Sequence, residues 1–150
     1  MIVLLISCQK NNGITKVGFE ELMANVAQGW STQNTQLALE SFAEDAVYMQ
    51  PPNVQFYQGH DQLRKYFDAL DEAHQMTFHD LWFNEETQTG AGEFTFSYGS
   101  DTADTGVIVV RLENGKIKHW REYFTKGPAN FDQFIKTENK DWRWHIGNYP

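Results

Sequence analysis

The chain is short of the residues that most often announce a chemistry. Among its 150 residues is a single cysteine, Cys8, so no internal disulfide can form. Positive charge is scarce: 12 Lys and Arg stand against 20 Asp and Glu, a formal net charge of -8. Nucleic-acid affinity comes largely from Lys and Arg displacing counterions, so no nucleic-acid partner is expected. No run of 18 apolar residues occurs, which leaves no candidate for a bilayer-spanning helix. The five histidines form no HExxH and no paired spacing, so no metal site is expected. There is no G-x-S-x-G, and the one thiol lies near the terminus, which disfavours a covalent nucleophile. The glycine-rich "GAGEF" leads into a strand rather than a helix and so lacks the amides of a phosphate cradle. No cofactor is implied.

What the chain does have is apolar and aromatic mass, 41% and 15% of its residues, enough for the core of one domain. Its first residues are different in kind. "MIVLLISC" is a short apolar run ending at Cys8 and followed by polar "QKNNG". It resembles the lipobox of bacterial lipoproteins, with Leu5, Ile6 and Ser7 before the lipidated Cys8. That resemblance implies a signal and linker over residues 1–15, a domain over 16–150, and acyl anchoring in the bacterial cell envelope. Membrane contact would then run through Cys8 alone.

Apolar residues at Phe19, Leu22, Met23, Val26 and Trp30 recur at three and four, the face of a helix that Thr15 could cap. Leu37, Ala38 and Phe42 suggest a short second helix capped by Asn34 or Thr35. Leu63, Phe67 and Leu70 mark a third, with His60 or Asp61 in capping position. "AVYMQPP" and "FYQG" read as short extended pieces between them. From Met76 the period changes to two, with strands expected in "MTFHDLWFN", "AGEFTFSYG", "TGVIVVRL" and "KIKHWREYF". Asn114-Gly115 is a type I′ hairpin signal; it pairs Glu113 with Lys116, and strict counting outward pairs Val109 with Trp120 and Val107 with Glu122. The fold class is therefore α+β, with helices packed on an antiparallel meander. The tail, with Trp142, Trp144 and Ile146 in alternation, is expected to cover a sheet edge or barrel mouth.

Alternation along "KHWREYF" puts Lys118, Trp120, Glu122 and Phe124 on one face and His119, Arg121 and Tyr123 on the other. An acid flanked by two rings should have its charged form disfavoured, which suits a general acid or base. The alternative is structural: Glu122 ion-paired with Arg64, Arg111 or Lys118 at the edge of a packed sheet.

"FAEDAVYMQPP", "YQGHDQLRKYF" and "LENGKIKHWREYF", in that order, resemble the nuclear transport factor 2-like superfamily and, within it, the SnoaL-like domains, over roughly Val17 to Phe134. The resemblance implies a cone-shaped curved sheet closed by three helices in the N-terminal half, an apolar cavity, and homodimers formed through the outer sheet face. "HWREYF" is also similar to a stretch of the limonene epoxide hydrolases. That similarity puts Glu122 at their catalytic acid and Tyr48 and Gln50 at two water-holding positions. Their remaining Arg and Asp would fall in "GEFTFSY", which offers Glu93, Thr95 and Ser97 and no arginine. Epoxide hydrolysis is thus not implied.

Three functions follow as expectations. In the first, the cavity binds a small apolar or aromatic ligand, lined by Tyr48, Gln50, Tyr57, Phe67, Trp82, Glu93, Thr95, Trp120 and Phe124. In the second, it performs cofactor-free proton transfer, as polyketide cyclase-like and isomerase members do, with Glu122 as base and Tyr48 as donor. His79 or Asp80 could substitute as base, and parity with Trp82 favours Asp80. In the third, the cavity is core and the outer face, with His119, Arg121 and Tyr123, binds protein.

Overall fold

In the computed structural model, residues 13–51 and 55–136 are described; Cys8 and the tail with Trp142, Trp144 and Ile146 lie outside them. Helix α1, Lys16–Ser31, starts where Thr15 accepts a hydrogen bond from the Gly18 amide, and buries Phe19, Met23, Val26 and Trp30. Helix α2, Thr35–Glu40, is capped by Asn34, whose side chain accepts from the Leu37 amide at 3.1 Å. Thr35 instead donates to Asp68. Strand β1, Phe42–Gln50, and strand β2, Gln55–Gln58, form a hairpin, and α3, Gly59–Phe67, follows. Neither His60 nor Asp61 caps α3: the cap position is Gln58, whose amide donates to the Gln62 side chain, while His60 Nε2 meets the Phe42 carbonyl. The meander is β3, His74–Asn84, β4, Thr89–Tyr98, β5, Thr102–Glu113, and β6, Lys116–Pro128. A last short helix, α4, Phe131–Phe134, was not signalled by any periodicity.

The six strands form one sheet in the order β2-β1-β6-β5-β4-β3. Among the described residues every pairing is antiparallel but one. Strand β1 runs parallel to β6, with Tyr48 beside Trp120, because the chain leaves β1 through β2 and α3 and re-enters the sheet at its far edge. The parallel pair carries the C-terminal ends of β1 and β6 to the same end of the sheet.

The inner face holds the core. Phe19, Trp30, Tyr48, Phe67, Phe94 and Trp120 are all at most 2% exposed, and side chains of this kind each contribute about 1.5–3 kcal/mol on burial. Trp30, on the last turn of α1, lies edge-on to Tyr48, Phe96 and Trp120. "GAGEF" turns out to be the seat of α1: Phe19 stacks on Phe83, and a Cβ on Gly90 would lie 2.4 Å from Phe19 Cζ. Only glycine lets the helix approach β4 that closely.

Two bulges decide which side chains face inward. The turn at Asn114-Gly115 has positive φ at both residues, as expected, and Glu113 pairs with Lys116. One extra residue then enters β6 between Ile117 and His119, so Val110, not Val109, faces Trp120, and Ile108, not Val107, faces Glu122. Ile117 and Trp120 consequently share the inner face, and Lys118 is turned out to pair with Asp45 and Glu113. The second bulge falls between Phe78 and Leu81 of β3. Beyond it the alternation inverts: Leu81 and Phe83 join the core, while Trp82 is 53% exposed.

Candidate functional site

Where β1, β4 and β6 end, β3 and β5 begin, and α1 and α3 finish, the inner face opens into a cavity of about 340 Å³, within the usual range for small-molecule sites. Its deep end is Glu122, 5% exposed. The carboxylate accepts from Trp120 Nε1 at 2.7 Å on one oxygen and from Gln50 Nε2 at 3.0 Å on the other. Trp120 and Glu122 are neighbours on one strand face, and the parallel pairing of β1 with β6 brings Gln50 across. Burial raises the pKa of Glu122 above the ordinary 4.5; Tyr48, Trp120 and Gln50, as donors, oppose that rise, and the nearby Asp104 carboxylate adds to it. The cationic groups proposed as ion-pair partners are engaged elsewhere or point away: Arg64 donates to Gln36, Lys118 pairs with Asp45, and Arg111 is exposed beside His119 and Arg121 in a groove of the outer face.

The opposite end of the cavity holds a second acid. Asp104, 6% exposed, accepts a hydrogen bond on Oδ2 from the Tyr98 hydroxyl, and Lys126 Nζ lies 3.6 Å from its Oδ1. Between the two ends the walls are Trp30, Tyr66, Leu70, Phe94, Phe96 and Phe124. Three buried polar atoms have no hydrogen-bond partner among the described residues: Trp30 Nε1, Gln55 Oε1 and Asp104 Oδ1. All three belong to residues of this cavity.

The residues expected from sequence divide into three groups. Glu122, Gln50 and Phe124 line the cavity. Tyr48, Tyr57, Phe67 and Trp120 form the layer behind it. Tyr48 is fully buried, its hydroxyl 3.4 Å from that of Tyr66; Tyr57 stacks on Tyr66 at 4.7 Å; Phe67 packs on Trp30 and Phe42. Burial and the Glu122 charge raise the pKa of Tyr48, which keeps it a donor. The last group lies on the other face of the sheet. Asp80 and Trp82 are exposed there because the β3 bulge inverts their parity. Glu93 and Thr95 alternate with the inward Gly92 and Phe94, and Thr95 is bonded to His79 at 2.9 Å. Asp80 is therefore withdrawn as a base, and Trp82, Glu93 and Thr95 as lining.

Asp104, Tyr98, Lys126 and Tyr66 were missed. Parity could have found the first three, since Asp104 shares the face of Ile108 and Val110, Tyr98 that of Phe94 and Phe96, and Lys126 that of Glu122 and Phe124. Tyr66, on the third helix, had no such signal.

The family described as SnoaL-like domain matches residues 23–120, more than half of the chain. The chain belongs to the SnoaL-like domain family. The match stops two residues short of Glu122. No curated protein matches the sequence. Among solved structures, a candidate ketosteroid isomerase from Kribbella flavida superposes with TM-score 0.66 at 13% identity, covering 83% of this chain and 93% of that one. A SnoaL-like protein of unknown function from Burkholderia thailandensis gives TM-score 0.63 at 13% identity, covering 75% and 98%. An LEH-like epoxide hydrolase from M. tuberculosis gives TM-score 0.59 at 13% identity, covering 73% and 84%. At such identities the likeness establishes the nuclear transport factor 2-like fold and nothing finer. Among the described residues no arginine lines this SnoaL-like cavity.

Proposed function

We propose that this SnoaL-like domain binds a small, largely apolar or aromatic molecule in the cavity between Glu122 and Asp104. The observation that carries the reading is the convergence of Trp30 Nε1, Gln55 Oε1 and Asp104 Oδ1 on one aromatic-walled space. An unpartnered buried polar atom costs about 1–3 kcal/mol, so three in one cavity are better explained by a ligand's polar groups than by core packing. Quenching of tryptophan fluorescence on titration with aromatic compounds is the direct test. Saturable binding that Phe94→Trp abolishes, by filling the cavity, is expected; binding indifferent to that change would place the ligand elsewhere.

A second reading, proton transfer on a bound carbonyl or hydroxylated ring compound, is favoured by one feature. Glu122 is buried with a raised pKa at the end of a chain of phenols, Tyr66 to Tyr48, of which Tyr66 faces the cavity. Glu122 would be the base and Tyr66, backed by Tyr48, the donor to a developing enolate. Exchange of an acidic ligand hydrogen in deuterated water, lost in Glu122→Gln with binding retained, would separate catalysis from binding.

Homodimerisation through the outer face is part of the same proposal. It is supported by a groove of Val47, Met49, His119 and exposed Arg121 and by exposed Tyr123 on the same strand and Trp82 farther across that face, with Arg and Tyr being residues enriched at interfaces. Lipid anchoring at Cys8 in the cell envelope rests on the N-terminal sequence alone, and palmitate labelling lost in Cys8→Ala would test it.

A further inference from the structure

Taking the cavity reading as its basis, we infer that the Asp104 end is a seat for an ammonium group, so that the ligand class is an amine carrying an aromatic or apolar body. Asp104 is a built acceptor. Its side chain is 9% exposed, Oδ2 is fixed by the Tyr98 hydroxyl, and Oδ1 has no hydrogen-bond donor among the described residues. The nearest cation, Lys126 Nζ, stands 3.6 Å from Oδ1, outside hydrogen-bond reach, with 73% of its side chain in solvent. The same nitrogen lies 5.0 Å over the Tyr98 ring. Lys126 therefore marks out the seat without filling it: a carboxylate oxygen and an aromatic face, which together attract a cation.

A ligand ammonium at that point would donate to Oδ1 at normal distance and displace an exposed lysine that loses little by leaving. Its body would lie against Trp30, Phe94, Phe96 and Phe124, and an oxygen on that body would take the free proton of Trp30 Nε1. The charge around the cavity argues the same way. Among the described residues two carboxyl groups face it, its one Lys or Arg is the rim Lys126, His74 is its one histidine, and the chain carries a net charge of -8. An anionic ligand would enter against the carboxyl groups and the net charge.

Three probes of one shape separate the possibilities: tyramine, its neutral counterpart tyrosol, and the anion 4-hydroxyphenylacetate, each titrated calorimetrically into the full chain. Tyramine is expected to bind about tenfold or more tighter than tyrosol, the difference between a charge-assisted and a neutral hydrogen bond, and the anion weakest. Asp104→Asn should erase the tyramine preference while leaving tyrosol unchanged. Lys126→Gln, an exposed change that leaves packing intact, should tighten tyramine binding severalfold by removing the competitor. Tyrosol or the anion binding as well as tyramine, or Lys126→Gln weakening tyramine, would overturn the ammonium seat and leave the cavity reading standing. Failure of all three probes to bind would overturn both.

Discussion

Replacing Glu122 with glutamine should make the protein more stable at neutral pH and leave it nearly unchanged in acid. Glu122 has a raised pKa in the folded chain, chiefly from burial. Between about pH 4.5, where the unfolded group titrates, and its folded pKa, the folded chain holds a proton that the unfolded chain has released. Stability therefore falls as pH rises through that window, by about 1.4 kcal/mol for each unit separating the two pKa values, and is constant above it. Glutamine has no proton to release, so the variant lacks this decline.

The hydrogen bonds set the offset. Trp120 Nε1 and Gln50 Nε2 donate to different oxygens of Glu122. A glutamine keeps its oxygen toward Trp120, and reversal of the Gln50 amide offers an acceptor to the new NH₂, so both contacts survive in neutral form. The charge-assisted strength of these bonds in the ionised form is already contained in the folded pKa, because the donors are among the groups that set it, so nothing further is subtracted from the gain. Urea unfolding followed by tryptophan fluorescence from pH 4 to 8.5 gives the test, since the difference between variant and wild type cancels every other titrating group. A difference that is flat, or that favours wild type as pH rises, would show Glu122 ionised and held by its three donors, and the deep end would then be a fixed anion rather than a poised acid.

Other consequences are as direct. Trp120→Phe removes a donor that holds the Glu122 pKa down, so carbon-13 titration of the Glu122 carboxyl should shift upward, with about 2–3 kcal/mol of stability lost to the missing bond and ring volume; an unmoved titration would mean the indole does not bond the carboxylate. Gly90→Ala places a methyl within 2.4 Å of the Phe19 ring and should cost about 1–3 kcal/mol by prising α1 from β4. Phe19→Leu in the same chain should recover part of that loss, and additive costs would refute the contact. His79 stacks on Phe131 at 3.6 Å and its pKa is lowered by burial. The neutral ring is thus preferred in the folded chain, and α4 docking, fully present above about pH 6.5, should weaken as pH falls below it. Proton NMR of the Phe131 ring reports this, and shifts constant from pH 7.5 to 5 would exclude the linkage.

How far the site could be read from sequence depends on where alternation holds. Within β4 and β5 it runs unbroken, and carrying the parity of Ile108 back to Asp104, or of Phe94 forward to Tyr98, reaches the second acid without any structure. Across the bulge in β3 the same rule sends Asp80 and Trp82 to the wrong face. Beyond the β6 bulge the parity of Trp120 carries correctly to Glu122 and Phe124, but across it Lys118 goes to the wrong face and the cross-strand partners come out one residue off. Bulges leave no reliable mark in residue type, since their cost and benefit are settled by sheet curvature. The unpaired state of Trp30 Nε1 was equally illegible: a helix-face tryptophan looks like core until the elements around it are assembled.

The separation of the two acids is the feature that the fold makes possible. Both alternate inward on adjacent strands, but Asp104 pairs across the sheet with Lys126 and Ile108 with Glu122, so the carboxyls sit four residues apart along the paired strands. Glu122 is enclosed by Trp120, Gln50 and the phenols, with no cation in contact among the described residues. Asp104 is at the rim, where a lysine and a tyrosine hydroxyl support it. A carboxylate near a buried acid pushes that acid toward protonation, and Asp104 acts on Glu122 in this way. A ligand cation at Asp104 would relieve that repulsion and lower the Glu122 pKa. The carboxyl titration of Glu122 should therefore move down when tyramine saturates the protein and stay in place with tyrosol. A downward shift of equal size with both probes would mean that occupancy alone, not charge, changes the deep end.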